Sequence, residues 1–212
     1  MTAKHLKIFF SGIGGSGVSA IAGFMAEKGH SVSGSDRAFA KNQDQPLYKI
    51  LKSSGILIVP QDGSGIDSSF DLVVFSTAVE HDQPEYLKAK ALNIPLKTRP
   101  EYLSEIVKQF KTIAIAGTSG KSTTSGMLAF LMKRLGLKPN FIGGGRVKQF
   151  RTDANPGNSL TGDSDLLVME ACESDGTIVA YKPAHSIISN LEFDHQSVDK
   201  TASMFGALSE NT

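Results

Sequence analysis

At residues 112–123 the chain reads TIAIAGTSGKST, an apolar run followed by a glycine-rich turn. A helical pattern over 122–135 comes directly after the turn. A strand that leads through such a turn into a helix is the setting of a phosphate-binding loop, in which backbone amides and the helix N-terminus cradle phosphate groups. The spacing departs from the common G-x-x-x-x-G-K-S/T form, because Ile115 stands where the first glycine would be. The segment predicts a nucleotide site.

Lys121 is the residue on which this interpretation depends most. A cation at the start of a helix opposes the helix dipole and therefore needs an anionic partner, which the β and γ phosphates of a nucleotide would supply. The hydroxyl of Ser122 or Thr123 would help to hold Mg²⁺. The alternative is a tight glycine turn whose lysine is only solvated.

A second glycine-rich turn lies near the N-terminus, where residues 12–17 read GIGGSG. It follows a strand pattern and opens a helical pattern, as a G-x-G-x-x-G dinucleotide loop does. Asp36 lies about twenty residues further on, at the end of the next predicted strand, where an acid can bind a ribose hydroxyl. NAD and a UDP-sugar fit this arrangement equally well, and close packing of a helix without any ligand is the alternative.

Two polar clusters follow strand patterns in the second half of the chain. Glu170 opens the acidic segment EACESDG, at the edge where parallel sheets place ligands, and its carboxylate can bind Mg²⁺. His195 ends the segment SNLEFDH and is a candidate metal ligand or acid/base group. Acidic turns and single histidines are often only solvated, and for Glu173 and Asp175 that reading is as good as a functional one.

Apolar runs alternate with helical patterns along the chain, which predicts a parallel α/β sheet. Strands are predicted at 6–10, 31–34, 72–75, 112–116, 166–169 and 186–189, and helices at 18–28, 46–52, 84–92, 100–109 and 122–135. A loop is predicted at 152–158. The pattern indicates a first domain that ends near residue 109 and a second that looks incomplete at Thr212.

Composition excludes several classes of partner. The formal net charge of the 212 residues is +1, which offers no basic surface for nucleic acid or an anionic membrane. No apolar run approaches the length of about 20 residues that a transmembrane helix needs. The single cysteine and the absence of a signal-peptide pattern favour a cytoplasmic protein.

Together the four segments resemble the Mur ligase family, whose central domain carries a G-T-x-G-K-S/T-T loop. The likeness is greatest to members with a G-I-G-G-S-G loop, an E-A-D-E-S-D-like segment and an N-x-x-x-D-H segment. The resemblance implies a Rossmann-like parallel-sheet N-terminal domain over 1–109 that binds a UDP-sugar. It further implies a partial P-loop-type central ATP-binding domain over 110–212, with a C-terminal ligase domain absent. Three departures are Ser119 in place of histidine, Cys172 in place of aspartate and Gln196 in place of an apolar residue.

The resemblance also implies the site residues. Substrate contacts fall at Gly12, Gly14, Gly15, Ser16, Gly17, Asp36, Ser76 and Thr77; ATP contacts at Gly117, Thr118, Ser119, Gly120, Lys121, Ser122, Thr123 and Asn190; and Mg²⁺ near Ser122, Thr123, Glu170 and His195. Lys121 and His195 are the implied catalytic residues.

The implied activity is ATP-dependent ligation of L-alanine to UDP-N-acetylmuramate through an acyl phosphate, in peptidoglycan synthesis. One alternative within the family is a murein-recycling ligase that adds a tripeptide to the same sugar nucleotide. Others are an NAD-dependent dehydrogenase, which leaves the second phosphate loop unexplained, and a non-catalytic module that binds UDP-sugar or nucleotide. We expect the 212 residues alone to turn over poorly, and the sequence leaves the oligomeric state open.

Overall fold

The computed structural model describes residues 4–76, 82–174, 176–193 and 196–212. The chain forms two compact units, of which the first comprises Met1–Arg99 and Phe150–Gly157 and the second comprises Pro100–Gln149 and Asn158–Thr212. The first unit gives way to the second after Arg99, ten residues before the predicted domain boundary at 109. The boundary at 109 stays a prediction. Within the described ranges, no helix combines the length and the apolar character that a bilayer crossing needs.

The first unit contains a five-stranded parallel sheet with the order β3-β2-β1-β4-β5. Its strands are β1 (Lys7–Ser11), β2 (Ser31–Ser35), β3 (Leu57–Ile58), β4 (Leu72–Phe75) and β5 (Leu96–Thr98). Its helices are α1 (Ser16–Glu27), α2 (Arg37–Lys41), α3 (Pro46–Ser53) and α4 (Pro84–Ala91). Because the strand order reverses between β1 and β4, a crevice forms at the carboxyl ends of these two strands.

The core of the first unit explains why its strands read as continuous apolar runs. Ile8, Phe9 and Phe10 of β1 have no exposed surface, and β4 is buried along its whole length. Strands of a parallel sheet that is covered on both faces need apolar residues at every position rather than at every second one. The buried edge-to-face contact of Phe9 with Phe70 belongs to this core.

The second unit contains a five-stranded sheet with the order β10-β6-β9-β7-β8, in which only the β7–β8 pairing is antiparallel among the described pairs. Its strands are β6 (Lys111–Ala116), β7 (Asn140–Ile142), β8 (Ser159–Leu160), β9 (Leu166–Glu170) and β10 (His185–Ile188). Its helices are α5 (Arg99–Val107), which belongs to this unit from Pro100 onward, α6 (Lys121–Arg134) and α7 (Val198–Glu210). The register pairs Ile115 with Glu170 and Ala116 with Ile188, so three strands end side by side.

The predicted α/β fold is confirmed, and each predicted strand and helix is present with bounds shifted by at most two residues. The sequence analysis predicts no bounds for helices α2 and α7 or for strands β3, β5, β7 and β8. The loop predicted at 152–158 contains one isolated bridge, between Thr152 and Asn155, and most of it belongs to the first unit. There the Asn155 amide donates a 2.6 Å hydrogen bond to Glu27 Oε1.

Glu85, in the first turn of α4, is a fully buried acid that the sequence reading did not single out. Its carboxylate accepts hydrogen bonds from the hydroxyls of Ser11 and Ser35, which end β1 and β2. Burial raises the pKa of Glu85 above its ordinary value, and the two serine hydrogen bonds offset this only in part. The carboxyl group therefore links the ends of two strands beside the glycine-rich turn.

We expect Glu85→Gln to change how stability depends on pH. Because the pKa is raised on folding, the stabilisation that depends on the Glu85 proton is complete below the ordinary value of 4.5 and is lost as pH rises through the folded-state pKa. The free energy of unfolding of the unmodified chain relative to Glu85→Gln should fall as pH rises from about 4.5 through the folded-state pKa, by about 1.4 kcal/mol for each unit of pKa shift. Urea unfolding of both proteins at several pH values measures this, and a difference that does not vary with pH would contradict it.

Candidate functional site

The loop between β6 and α6 has the backbone of a tight glycine turn. Gly117 has a φ of 140° and Gly120 a φ of 78°, values that side-chain-bearing residues rarely adopt. A Cβ at Gly117 would also collide with the hydroxyl of Ser189. Helix α6 begins at Lys121, directly after Gly120, so its first amides lack intrahelical acceptors and are free to bind an anion.

The Lys121 ammonium group lies inside this loop and is largely buried, with 12% of the side chain exposed. It donates to the carbonyl oxygens of Gly117 at 2.6 Å and Thr118 at 3.2 Å, and to Glu173 Oε1 at 3.1 Å. An ammonium group has three N–H donors, so all three have acceptors in the protein. The sequence predicts Lys121 in this loop, but it assigns no role to Glu173.

Two predicted Mg²⁺ ligands are in direct contact. The hydroxyl of Ser122 lies 3.0 Å from each carboxylate oxygen of Glu170, and the amide of Gly144 donates to Glu170 Oε2 at 2.8 Å. A hydroxyl and a carboxylate are oxygen donors that suit Mg²⁺. Among the described residues, no three histidine, cysteine or acidic side chains are grouped closely enough to hold a metal ion. The other predicted ligand, His195, lies outside the described residues.

Asn190, just beyond the end of β10, ties the loop together. Its Oδ1 accepts from the Thr118 hydroxyl at 2.7 Å and from the Ser119 amide at 3.0 Å. Its Nδ2 donates to the carbonyl oxygen and the hydroxyl of Ser119, both at 3.1 Å. The neighbouring Ser189 hydroxyl donates to the carbonyl oxygens of Ala116 and Ser119, both at 3.1 Å. The polar segment predicted at this strand end therefore holds the shape of the phosphate loop, and Ser189 is a member that the sequence reading did not assign.

A cleft of about 370 Å³ begins at the start of α6 and contains further charged residues. It is lined by Ser122, Thr123, Gly126, Met127, Phe130, Gly145, Arg146, Val147, Lys148 and Gln149. Thr123, a predicted ATP and Mg²⁺ contact, is exposed in this cleft. Arg146 and Lys148 give the cleft two cations, and the sequence reading missed both because neither belongs to a motif.

In the first unit, Asp36 connects the glycine-rich turn to the helix that follows β2. Its Oδ2 accepts from the Gly14 amide at 2.8 Å, and its Oδ1 accepts from the Ala38 amide at 2.9 Å as the N-cap of α2. A Cβ at Gly14 would lie 2.7 Å from Asp36 Oδ2, so only glycine lets the turn come this close. Gly12, with a φ of 79°, makes the turn after β1.

A cleft of about 460 Å³ lies at this turn. It is lined by Gly12, Gly15, Asp36, Arg37, Ala38, Lys41, Gln61 and Ser76. Ser16 and Gly17 begin α1 directly after Gly15, so the start of that helix is next to the cleft. Thr77, the remaining predicted substrate contact, lies outside the described residues. The two cations Arg37 and Lys41 were not predicted.

Comparison with known proteins identifies relatives for both units. Residues 7–111 match the family model described as "Mur ligase family, catalytic domain". The UDP-N-acetylmuramate–L-alanine ligase of Carboxydothermus hydrogenoformans is 37% identical over 98% of this chain and 44% of its own length. The same ligase of Aquifex aeolicus is 40% identical over 92% of this chain and 41% of its own length.

Solved structures of the same kind superimpose on the chain. The UDP-N-acetylmuramate-alanine ligase of Thermotoga maritima has a TM-score of 0.85 and is 31% identical, over 98% of this chain and 47% of that one. A UDP-N-acetylmuramate:L-alanyl-gamma-D-glutamyl-meso-diaminopimelate ligase from Neisseria meningitides has a TM-score of 0.83 and is 27% identical, over 98% of this chain and 68% of that one. The chain thus spans less than half the length of the curated relatives named above.

Proposed function

The chain belongs to the Mur ligase family, and on that basis we propose that it forms the nucleotide-binding front part of an ATP-dependent ligase that joins L-alanine to UDP-N-acetylmuramate. The observation that carries the proposal is the arrangement at the start of α6, where Lys121 lies in a glycine loop and Ser122 contacts Glu170. Binding of a nucleoside triphosphate requires a cation, free helix amides and oxygen ligands for Mg²⁺, and this arrangement has all three at the carboxyl ends of neighbouring strands.

The proposed reaction begins with attack of the lactyl carboxylate of UDP-N-acetylmuramate on the γ-phosphorus of ATP. The bond from that phosphorus to the β–γ bridging oxygen breaks, and an acyl phosphate and ADP form. The amine of L-alanine then attacks the acyl carbon and displaces phosphate, losing a proton as the amide forms. No covalent bond to the protein is needed in either step.

The chain's own residues would neutralise the charge of the phosphates and fix the position of the reacting groups. A carboxylate and a triphosphate repel each other, so Lys121 and the first amides of α6 would neutralise the phosphate oxygens and hold the reacting groups in line. Mg²⁺ held near Ser122 and Glu170 would supply further neutralisation of the phosphates. Arg146 and Lys148, in the cleft that begins at Ser122, are suited to anionic groups of the acid substrate.

The first unit would bind the UDP part of the substrate. The diphosphate would bind to the amides at the start of α1 and to the cations Arg37 and Lys41. Asp36 would accept a hydrogen bond from a ribose hydroxyl. Each Asp36 oxygen accepts one protein amide in the structure and retains a lone pair for a ligand. The side chain is therefore already oriented when the ligand arrives.

A second candidate is the tripeptide ligase of murein recycling. The structure of the Neisseria enzyme, named for a tripeptide and UDP-N-acetylmuramate, covers nearly all of this chain. Both candidate activities use the same sugar nucleotide, so the first unit does not separate them. Phosphate release by the whole protein with L-alanine, compared with release with the tripeptide, would distinguish the two.

Calorimetric titration of the chain with UDP-N-acetylmuramate, Mg²⁺-ATP and NAD tests the proposal, and Gly14→Ala sharpens it. The added Cβ would displace the Asp36 carboxylate, so we expect UDP-N-acetylmuramate to bind at least about 10-fold more weakly and ATP to bind unchanged. Gly206→Ala is the matched control, because Gly206 is exposed in α7 and a Cβ there meets nothing within 4 Å. Binding of NAD without binding of the UDP-sugar would overturn the proposal.

A further inference from the structure

The ion pair between Lys121 and Glu173 occupies the phosphate loop itself. Lys121 Nζ lies 3.0 Å from Glu173 Oε2 and 3.1 Å from Oε1, and its other two donors are taken by the carbonyl oxygens of Gly117 and Thr118. A phosphate oxygen that accepts from this ammonium must therefore replace one of these three acceptors. The carboxylate is the charged one, and it carries the same sign as the incoming phosphate.

Glu173 is placed as a fixed partner of the lysine rather than as a solvated turn residue. Only 5% of its side chain is exposed, and Lys121 is its one charged partner among the residues that the structure describes. Its backbone is held as well, since its carbonyl oxygen accepts from the Gly176 amide at 3.0 Å and from Gln196 Nε2 at 3.4 Å. A change of partner at Lys121 would therefore require the Glu173 side chain to turn about a backbone that stays in place.

From this arrangement we propose that Glu173 is a positioning residue, whose carboxylate is the internal counterion of Lys121. The triphosphate of a bound nucleotide displaces this carboxylate from the ammonium group. The inference rests on the proposed function, because it takes ATP as the ligand of this loop. Before the nucleotide binds, Glu173 neutralises the buried ammonium and keeps it directed into the loop. When the triphosphate binds, its oxygens replace the carboxylate, so the negative charge of Glu173 lowers nucleotide affinity.

This proposal predicts that Glu173→Gln binds nucleotide more tightly. The substitution keeps the size of the side chain and removes the charge that competes with phosphate, so the Kd for ATP and for inorganic tripolyphosphate should fall by about 3- to 10-fold. A purely structural role for Glu173 would instead weaken binding. Tripolyphosphate is included because it reports on the loop without any contribution from the nucleoside.

Glu192→Gln is the matched control. Glu192 follows β10 and its backbone amide donates to the Thr118 hydroxyl, so it is an acid beside the same loop, but its side chain is exposed. Its neutralisation should change either Kd by less than about 2-fold, because exposed charges are screened by solvent and salt. An equal increase in affinity for ATP and tripolyphosphate in both variants would overturn the proposal, because any loss of negative charge near the loop would then explain the effect.

A measurement on the unmodified chain removes any dependence on how well the variant folds. The carboxyl ¹³C resonance of Glu173 should shift when tripolyphosphate is added, because the carboxylate loses its ammonium partner. A resonance that does not move at saturation, or a Kd for Glu173→Gln that is unchanged or higher, would overturn the inference. If the unmodified chain bound neither ATP nor UDP-N-acetylmuramate, the proposed function itself would fail instead.

Discussion

Replacing Lys121 with alanine should eliminate ATP binding at the concentrations at which the unmodified chain is saturated. The ammonium is the charged donor within the glycine loop, and the loss of such a group at a phosphoryl site weakens binding or turnover by at least about 100-fold. Calorimetry with Mg²⁺-ATP measures the loss directly. Binding of UDP-N-acetylmuramate to the first unit should remain.

The ion pair with Glu173 complicates this test in a way that the sequence alone does not show. Lys121→Ala leaves a buried carboxylate without its cation, which costs about 3–5 kcal/mol of stability and could unfold the second unit. The double variant Lys121→Ala/Glu173→Gln removes that charge and should fold yet still fail to bind ATP. Lys111→Ala is the matched control, because Lys111 begins β6, the strand that leads into the loop, and its side chain forms an exposed ion pair with Asp165. Full ATP affinity in the folded double variant would refute a phosphate-binding role for Lys121.

Glu170→Gln should make ATP binding insensitive to Mg²⁺. Glu170 ends β9, and its carboxylate contacts the Ser122 hydroxyl and the Gly144 amide, so glutamine can occupy the same space while it loses the charge that attracts the cation. We expect the affinity for Mg²⁺-ATP to fall by at least about 10-fold, toward the affinity for ATP in the presence of EDTA.

The comparison needs titrations with Mg²⁺ and with EDTA for each protein. Asp165→Asn is the control, since Asp165 precedes the same strand at its other end and is exposed. If Mg²⁺ strengthened ATP binding equally in the unmodified chain and in Glu170→Gln, Glu170 would not be a metal ligand. The hydroxyl of Ser122 would then have to be tested by itself.

The longer elements and both glycine-rich turns could be predicted because their signals are local. Helix α6 follows Gly120 and stops just before Gly136, and strand β4 is a buried apolar run, so neighbouring residues suffice to define them. The missed strands β5 and β7 are three residues long, and pairing with β4 and β9 supplies what three residues cannot specify. Helix α2 has five residues and depends on the Asp36 cap, which the sequence reading assigned only to ligand binding.

The predicted site residues remain predictions, although the structure brings several of them into contact. Because parallel strands end at the same edge of a sheet, the sequence predicts Glu170, Asn190 and the phosphate loop at one edge. Hydrogen bonds join Glu170 and Asn190 to the loop there. The same logic could not distinguish Glu173 from a solvated acid, because its burial depends on where Lys121 points rather than on any local pattern. Glu85 was missed for the same reason: its serine partners are distant in sequence.

The chain changes unit three times, because Phe150–Gly157 belongs with the first unit while the residues on both sides belong with the second. No single cut can therefore separate the two. Residues 100–212 expressed alone would take this segment away from its partners, exposing the buried Asn155 and removing the acceptor that Glu27 provides. Residues 1–99 alone would keep Glu27 but lose the Asn155 amide that donates to it. Dissecting the protein into independent halves would require replacing 150–157 with a short linker in one half and supplying it as a separate peptide to the other.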